Sequence, residues 1–328
     1  MEFVEGGGDV LGALAQIARG AVHGAERCGC DPEAVRVLAD RDDGAVVRHG
    51  GIVAKAHAPG TEDGPHAVRL ALAGDPALAA ILLPPVPGPR TERVAGRPVT
   101  VWPYGPPVDP GDPDAAPWEE AARLLALLHR TPPPSGPLPG MRAPAKAALA
   151  VGRMLRAAPD HPATATVLAA WRTVTESLGE GGTESLSEGG TGGTRAYLCH
   201  GDFHLGQLVR DLGGDWRLID VDDAGLGDPA WDLARPAAWF AAGLLPAAVW
   251  ARFLGAYEAA GGPATRPGPD PWARLDLPAR ALTVQTAALA LAKSTAEARG
   301  LDEVEGVMID TCARIALSRT VPGSAASS

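Results

Sequence analysis

The stretch YLCHGDFHLGQLV, Tyr197 to Val209, sets an acid, two histidines and an amide into one short loop. An apolar run ending at Cys199 leads into His200-Gly201-Asp202, and Gln207 follows the aspartate five positions on. Downstream, RLIDVDDAGLGDPAWDLA, Arg217 to Ala234, answers with a second set of acids, the first of them Asp220. Between the apolar runs Leu208–Val209 and Trp216–Ile219, Gly213-Gly214 supplies a turn, so adjacent strands would carry Asp202, Gln207 and Asp220 to neighbouring ends. That set is a carboxylate base beside a divalent-metal site made of oxygen ligands. Mg²⁺ takes oxygen ligands in octahedral geometry and usually uses one or two carboxylates plus substrate phosphates. Asp220 suits the carboxylate ligand, Gln207 offers a neutral carbonyl oxygen, and Asp202 stays free to accept a proton from an attacking hydroxyl. Phosphoryl transfer asks little more of a protein than positioning and charge neutralisation.

The elements that must position these residues can be read from periodicity. A leading helix is expected over about Asp9–Arg27, from Leu11, Leu14, Ala15 and Ala18. Three strand-like runs follow, Val35–Ala39, Ala45–Arg48 and Ile52–His57, split by the hairpin signals Asp43-Gly44 and Gly50-Gly51. The last of them carries Lys55. A short helix over Gly64–Ala73 and a strand pair of Ile81–Leu83 with Val99–Trp102 complete a β-rich first region. The prolines of WPYGPPVDPGDPDAAP, Trp102 to Pro117, forbid a long regular element and mark a hinge. Beyond it the chain reads as helical: a helix opening at Pro117 with two acids behind it, then about Ala143–Ala157, Ala163–Leu178, Pro229–Ala242, Pro246–Ala260, Leu275–Arg299 and Glu303–Ser318. Gly179–Thr194 is low-complexity and lacks the Lys-Ser/Thr ending of a phosphate cradle. The small polar tail Val321–Ser328 reads as disordered.

With 328 residues, 46% of them hydrophobic, the chain can bury a sizeable core. Acids outnumber bases 39 to 29, for a formal charge of −10. No Lys/Arg run marks a nucleic-acid footprint, and no apolar run reaches spanning length. Cys28-Gly29-Cys30 lacks a second Cys/His pair to complete a zinc site, and Cys199 reads as a small buried hydrophobe. The expectation is a cytoplasmic protein with reduced thiols, no nucleic-acid or membrane partner, and a monomeric or weakly dimeric state.

HGDFHLGQ followed by LIDVDDAGLGDPAWDLA resembles the aminoglycoside phosphotransferase-like kinase family, with the likeness running from about Val35 to Ala260. The resemblance implies an α+β, two-lobed protein-kinase-like fold: a small β-rich N-lobe, residues 1–104, and a larger, mostly helical C-lobe, residues 105–328. It implies that Asp202 is the catalytic base, that Asp220 and Gln207 hold Mg²⁺, and that Lys55 reaches the α/β-phosphates of ATP or GTP. The backbone of Trp102 to Tyr104 would meet adenine, and Asp232 would brace the catalytic loop. Three departures stand out: Gln207 replaces an Asn, DRDDG replaces a glycine-rich loop, and TEDGPHAVRLALAG has no mid-helix Glu to pair with Lys55.

The implied activity is Mg²⁺-dependent transfer of a nucleotide γ-phosphate to a hydroxyl of a small molecule. An aminoglycoside-like or other antibiotic acceptor comes first, because an acidic C-lobe suits a polycation. A maltokinase-like sugar or amino-sugar kinase is the alternative, and a catalytically silent pseudokinase is the alternative outside enzymes. Isolated from this pattern, Lys55 is a solvated strand lysine. His200 shapes the loop, while His204 points toward substrate or packs. Asp222 and Asp223 are supporting or turn acids, Asp228 caps a helix before Pro229, and His129 caps or packs. The tryptophans Trp231, Trp239 and Trp250 read as core.

Overall fold

Valine and alanine alternate with other residues along β2 (Gly44–His49) and β3 (Ile52–Ala56), so each strand turns one face to a core. Gly50, at φ +56°, permits the tight turn between them. With β1 (Val35–Arg41), β4 (Arg93–Val94) and β5 (Arg97–Pro103) they form an antiparallel sheet ordered β1-β2-β3-β5-β4. Helix α1 (Val10–His23) lays Leu14 and Ala18 against Ala45, Val47, Ala54, Ala56 and Val99. Helix α2 (Asp63–Ala73) follows β3. The computed structural model describes residues 10–23, 35–87, 93–112, 115–178, 196–265 and 270–318. Cys28-Gly29-Cys30, the Gly179–Thr194 stretch and the Val321–Ser328 tail lie outside the described residues. The chain divides into two compact units, Met1–Ala116 with Gly206–Asp222, and Pro117–Leu205 with Asp223–Ser328.

The ribbon of β7 (Leu208–Arg210) and β8 (Trp216–Leu218) therefore belongs to the first unit. It corrects one expectation. Ile81–Leu83 does not pair with Val99–Trp102; on that edge β4 reaches only Arg97 and Pro98, and it is Val86, further along, whose N–H donates to the Val101 carbonyl at 2.9 Å. It pairs instead with β8: the Leu83 N–H donates to the Leu218 carbonyl at 2.9 Å, and the Leu218 N–H to the Ile81 carbonyl at 2.8 Å. Gly105 lies against this ribbon, where a Cβ would fall 2.5 Å from the Arg210 carbonyl oxygen.

The second unit is mostly helical. Helix α3 (Trp118–Arg130) opens after Pro117 with Glu119 and Glu120 in its first turn, and buries Ala121, Leu124, Leu125 and Leu128. Helices α4 (Ala143–Ala157) and α5 (Thr164–Leu178) come next, then the β6 (Tyr197–Cys199) and β9 (Gly225–Gly227) pair. Helices α6 (Ala234–Ala242), α7 (Ala247–Ala259), α8 (Trp272–Ala296) and α9 (Glu303–Leu317) follow. Small side chains bring α4 and α8 together, with Ala147, Ala150 and Met154 packed among Ala281, Ala288 and Leu291. The single helix expected over Pro229–Ala242 is two pieces, a 3₁₀ turn at Pro229–Trp231 and then α6. Pro236 has no N–H to donate to the carbonyl four residues back, which costs nothing in the first turn of α6, where it lies. No helix among the described residues is long and apolar enough to cross a membrane.

Candidate active site

In the first unit, β3 pairs Lys55 with Thr100 of β5, and the ammonium reaches two acids. Lys55 Nζ donates to Asp220 Oδ1 at 2.7 Å and to Asp222 Oδ2 at 2.8 Å. Burial alone would depress its pKa, but the Asp220 and Asp222 charges outweigh that and raise it, so Lys55 stays protonated. Asp222 is held in turn by His57, whose Nδ1 lies 2.8 Å from Asp222 Oδ2 and whose Nε2 lies 2.7 Å from Thr100 Oγ1. Burial would raise the Asp222 pKa; the Lys55 charge and the His57 bond overcome it and hold the carboxyl well below its usual range. The indole of Trp102 donates to the same Thr100 hydroxyl at 2.8 Å. Helix α2 offers no acid to this chain of contacts. It presents His66, whose ring meets His57 edge-on at 4.3 Å and whose pKa burial lowers to about 4.

Asp220 and Gln207 lie in the same unit. Asp220 has a φ of +63°, unusual for a residue with a side chain and of the kind met where function dictates the backbone. Gln207 is only 8% exposed, and its side-chain amide has no partner among the described residues. The amide is therefore free to meet water or a ligand. The Asp220 carboxylate and the Gln207 amide oxygen are hard oxygen donors, the type that suits Mg²⁺. Tyr104, past the end of β5, gives its N–H to the Gly51 carbonyl at 2.7 Å, and Arg48 stacks on its ring at 3.4 Å. The Tyr104 N–H is therefore already engaged within the sheet.

In the second unit, β6 delivers His200-Gly201-Asp202. The buried Asp232 carboxylate accepts the N–H groups of His200 and Gly201, each at 2.7 Å, and thereby sets the turn. Its Oδ2 also lies 2.9 Å from His129 Nε2, and His129 Nδ1 lies 2.7 Å from the Tyr257 hydroxyl. Burial pushes the Asp232 pKa up, yet the His129 bond and the nearby histidine charges bring it below normal. His129 is thus the support behind the loop brace, a role that its position near a helix end does not announce.

Gly201 sits at φ +81°, and a Cβ there would fall 2.1 Å from the Asp223 carbonyl oxygen. Gly201→Ala adds a strained φ, worth about 1–3 kcal/mol, to a clash with backbone. It is expected to lower the melting temperature and to displace Asp202. A variant that melts with the wild type and keeps its activity would show that the turn tolerates a side chain.

The carboxylate of Asp202 is not isolated. Lys146 of α4 lies 2.9 Å from Oδ2, and Arg235 of α6 donates to Oδ1 at 3.3 Å. Lys146 also donates to Asp223 Oδ2 at 2.6 Å, and Arg142 lies 3.4 Å from Asp223 Oδ1. Burial would raise the Asp202 pKa, but the Lys146 and Arg235 charges pull it below the usual carboxylate value, so it is ionised at neutral pH. Neither Lys146 nor Arg235 stands in a recognisable motif, and an alanine-rich helix with one lysine gives no sequence signal for such a role. Asp222 and Asp223, adjacent in sequence, serve different cations in different units. Asp228 accepts from the Ala230 N–H at 3.0 Å as a cap before Pro229, and it also pairs with Arg274 at 2.7 Å.

The model of the phosphotransferase enzyme family matches residues 29–275. No curated protein sequence matches the chain. Among solved structures, a choline/ethanolamine kinase family protein from Mesorhizobium loti is similar at 16% identity and TM-score 0.59, over 94% of this chain and 95% of that one. A choline kinase from Streptococcus pneumoniae is similar at 16% identity and TM-score 0.58, over 87% and 93%. A thermostable mutant of an aminoglycoside phosphotransferase, solved with AMP-PNP and hygromycin B, is similar at 13% identity and TM-score 0.58, over 94% and 100%. At these identities the likeness is one of fold.

Proposed function

The chain belongs to the phosphotransferase enzyme family and is a small-molecule kinase, and from that premise we propose that it moves the γ-phosphate of ATP to a hydroxyl in a Mg²⁺-dependent reaction. The observation that carries this reading is the Lys55 ammonium held between Asp220 and Asp222 at hydrogen-bond distance. A fixed cation beside a metal-ligating acid is what nucleotide phosphates require. In this reading the N-terminal lobe, residues 1–104, handles the nucleotide: Lys55 binds the α/β-phosphates, and the 102–104 backbone meets the base. Asp220 and Gln207 hold Mg²⁺, which when bound neutralises phosphate charge. The setting is the cytosol, where ATP is supplied.

Asp202 acts on the acceptor. It orients the hydroxyl and takes its proton as the oxygen bonds to the γ-phosphorus, while the bond from that phosphorus to the β-phosphate bridging oxygen breaks and ADP leaves. Its lowered pKa makes it a weak base but keeps it ionised, which is adequate when the transition state is loose and little proton transfer is needed early. Asp232 and His129 keep the loop in place without touching substrate. The testing experiment is ADP release and product formation with Mg²⁺·ATP across aminoglycosides, macrolides, choline-like alcohols and sugars. Turnover of none of them, together with no Mg²⁺·ATP binding, would reject the reading.

The unpaired amide of Gln207 gives a specific prediction. Gln207→Asn is expected to keep much of the activity, because the carbonyl ligand survives with a shorter reach. Gln207→Leu should raise the apparent Mg²⁺ requirement by roughly ten- to a hundredfold, the cost of disturbing a metal's ligand set. Activity against Mg²⁺ concentration at saturating ATP reads both. A Leu variant that matches wild type at low Mg²⁺ would remove Gln207 from the metal site.

A further inference from the structure

The net charge of −10 suggests a cationic acceptor, but the immediate surroundings of Asp202 carry the opposite sign. In the second unit, Asp202 lines a small cavity with Lys146, Phe203, Trp231, Arg235 and Gln285. Its carboxylate is matched by Lys146 and Arg235, and the neighbouring Asp223 by Lys146 and Arg142. Three cations thus face two acids, and the group carries a net positive charge.

Two further groups have hydrogen-bonding capacity to spare. Arg235 Nε is buried without a partner among the described residues, although its guanidinium lies 5.6 Å from the Trp239 ring centre. Gln285 is 6% exposed and lines the cavity, and its side-chain amide makes no hydrogen bond among the described residues. A guanidinium donor and an amide donor converging on one small space, with Trp231 beside them, suit the oxygens of an anion.

We propose that the acceptor is a hydroxylated small molecule carrying an anionic group, a carboxylate or phosphate, that Arg235 and Gln285 hold while its hydroxyl meets Asp202. This rests on the phosphotransferase reading above and narrows its substrate class. A polyamine-like acceptor would bring ammonium groups against the excess positive charge of Lys146, Arg142 and Arg235. The Trp231 wall then packs the carbon skeleton between the anionic end and the reacting hydroxyl.

The test uses matched acceptors that differ only in charge: glucuronate, glucose and glucosamine, and in parallel glycerate, glycerol and 3-amino-1,2-propanediol. Phosphorylated product is followed by ³¹P NMR with the full-length protein and Mg²⁺·ATP. The anionic member of a set is expected to lead in kcat/KM by about tenfold or more, the scale of one desolvated charge-assisted contact. Arg235→Gln and Gln285→Leu should shrink that preference by raising KM for the acceptor, with KM for ATP little changed.

A lead by the neutral or ammonium member overturns the proposal. So does a rise in KM for ATP alone, which assigns these cations to the γ-phosphate. If neither set is turned over, melting temperatures in glycerate against 3-amino-1,2-propanediol decide. Stabilisation by the anion that is lost in both variants sustains the proposal, and its absence in the wild type overturns it. Failure of the underlying phosphotransferase reading shows differently, as absent Mg²⁺·ATP binding whatever the acceptor charge.

Discussion

Asp202→Asn is expected to lower phosphoryl transfer by roughly 10²- to 10⁴-fold, the usual contribution of a positioned base, while nucleotide affinity stays close to wild type. The substitution keeps the side-chain shape in a loop whose backbone is set by Asp232 through the His200 and Gly201 N–H groups. Lys146 retains its 2.6 Å contact with Asp223, so the variant is expected to fold. The lower end of the range is the better match to a carboxylate whose pKa Lys146 and Arg235 hold down. Single-turnover transfer with ATP affinity measured in parallel checks this. Wild-type turnover on a working acceptor would show that Asp202 is not the base, and a large loss of ATP affinity would move it into nucleotide binding.

Asp220→Ala should weaken Mg²⁺·ATP binding and transfer together, by at least about a hundredfold, since a metal ion at a phosphoryl group supplies several kcal/mol. Lys55 would keep Asp222 at 2.8 Å, so the loss would come chiefly from the missing oxygen ligand. Asp220→Asn separates function from folding. Asn tolerates the left-handed φ of +63° better than most residues, so this variant is expected to melt no lower than the Ala variant while still losing most transfer. Calorimetric titration of Mg²⁺·ATP and thermal melting give both readouts. An unchanged Mg²⁺ dependence in either variant would move the metal away from Asp220.

Much of the fold was legible because its signals are local. Gly50-Gly51 sets a hairpin turn, and alternation along β2 and β3 sets which face is buried. Helix α3 opens after Pro117 with acids that favour its first turn, as read from the residues alone. Ile81–Leu83 was misassigned because an apolar triplet is strand-like wherever it lies. Its partner, β8, lies more than 130 residues on, and that pairing is not written in the triplet. Pro236 hints at the break before α6 but does not dictate it, since α8 runs on through Pro278.

The sequence by itself determined the loop chemistry. The order His200-Gly201-Asp202, Gln207, Asp220 places acids and an amide at turns, where backbone geometry is dictated within a few residues, so spacing marks them, while Asp232 was marked by the family resemblance. Only the tertiary structure decided what surrounds them. Lys55 is held by Asp222, itself backed by His57 and Thr100, where a helix acid might have been sought. Asp202 is flanked by Lys146 and Arg235, and Asp232 is backed by His129 and Tyr257. These partners come from elements far apart in the chain, brought together by apolar helix and sheet packing that is indifferent to the charged groups it carries. Net charge, a sum over the whole molecule, gives no account of that local arrangement, because buried and partly buried ions respond to neighbours a few ångströms away and not to the total.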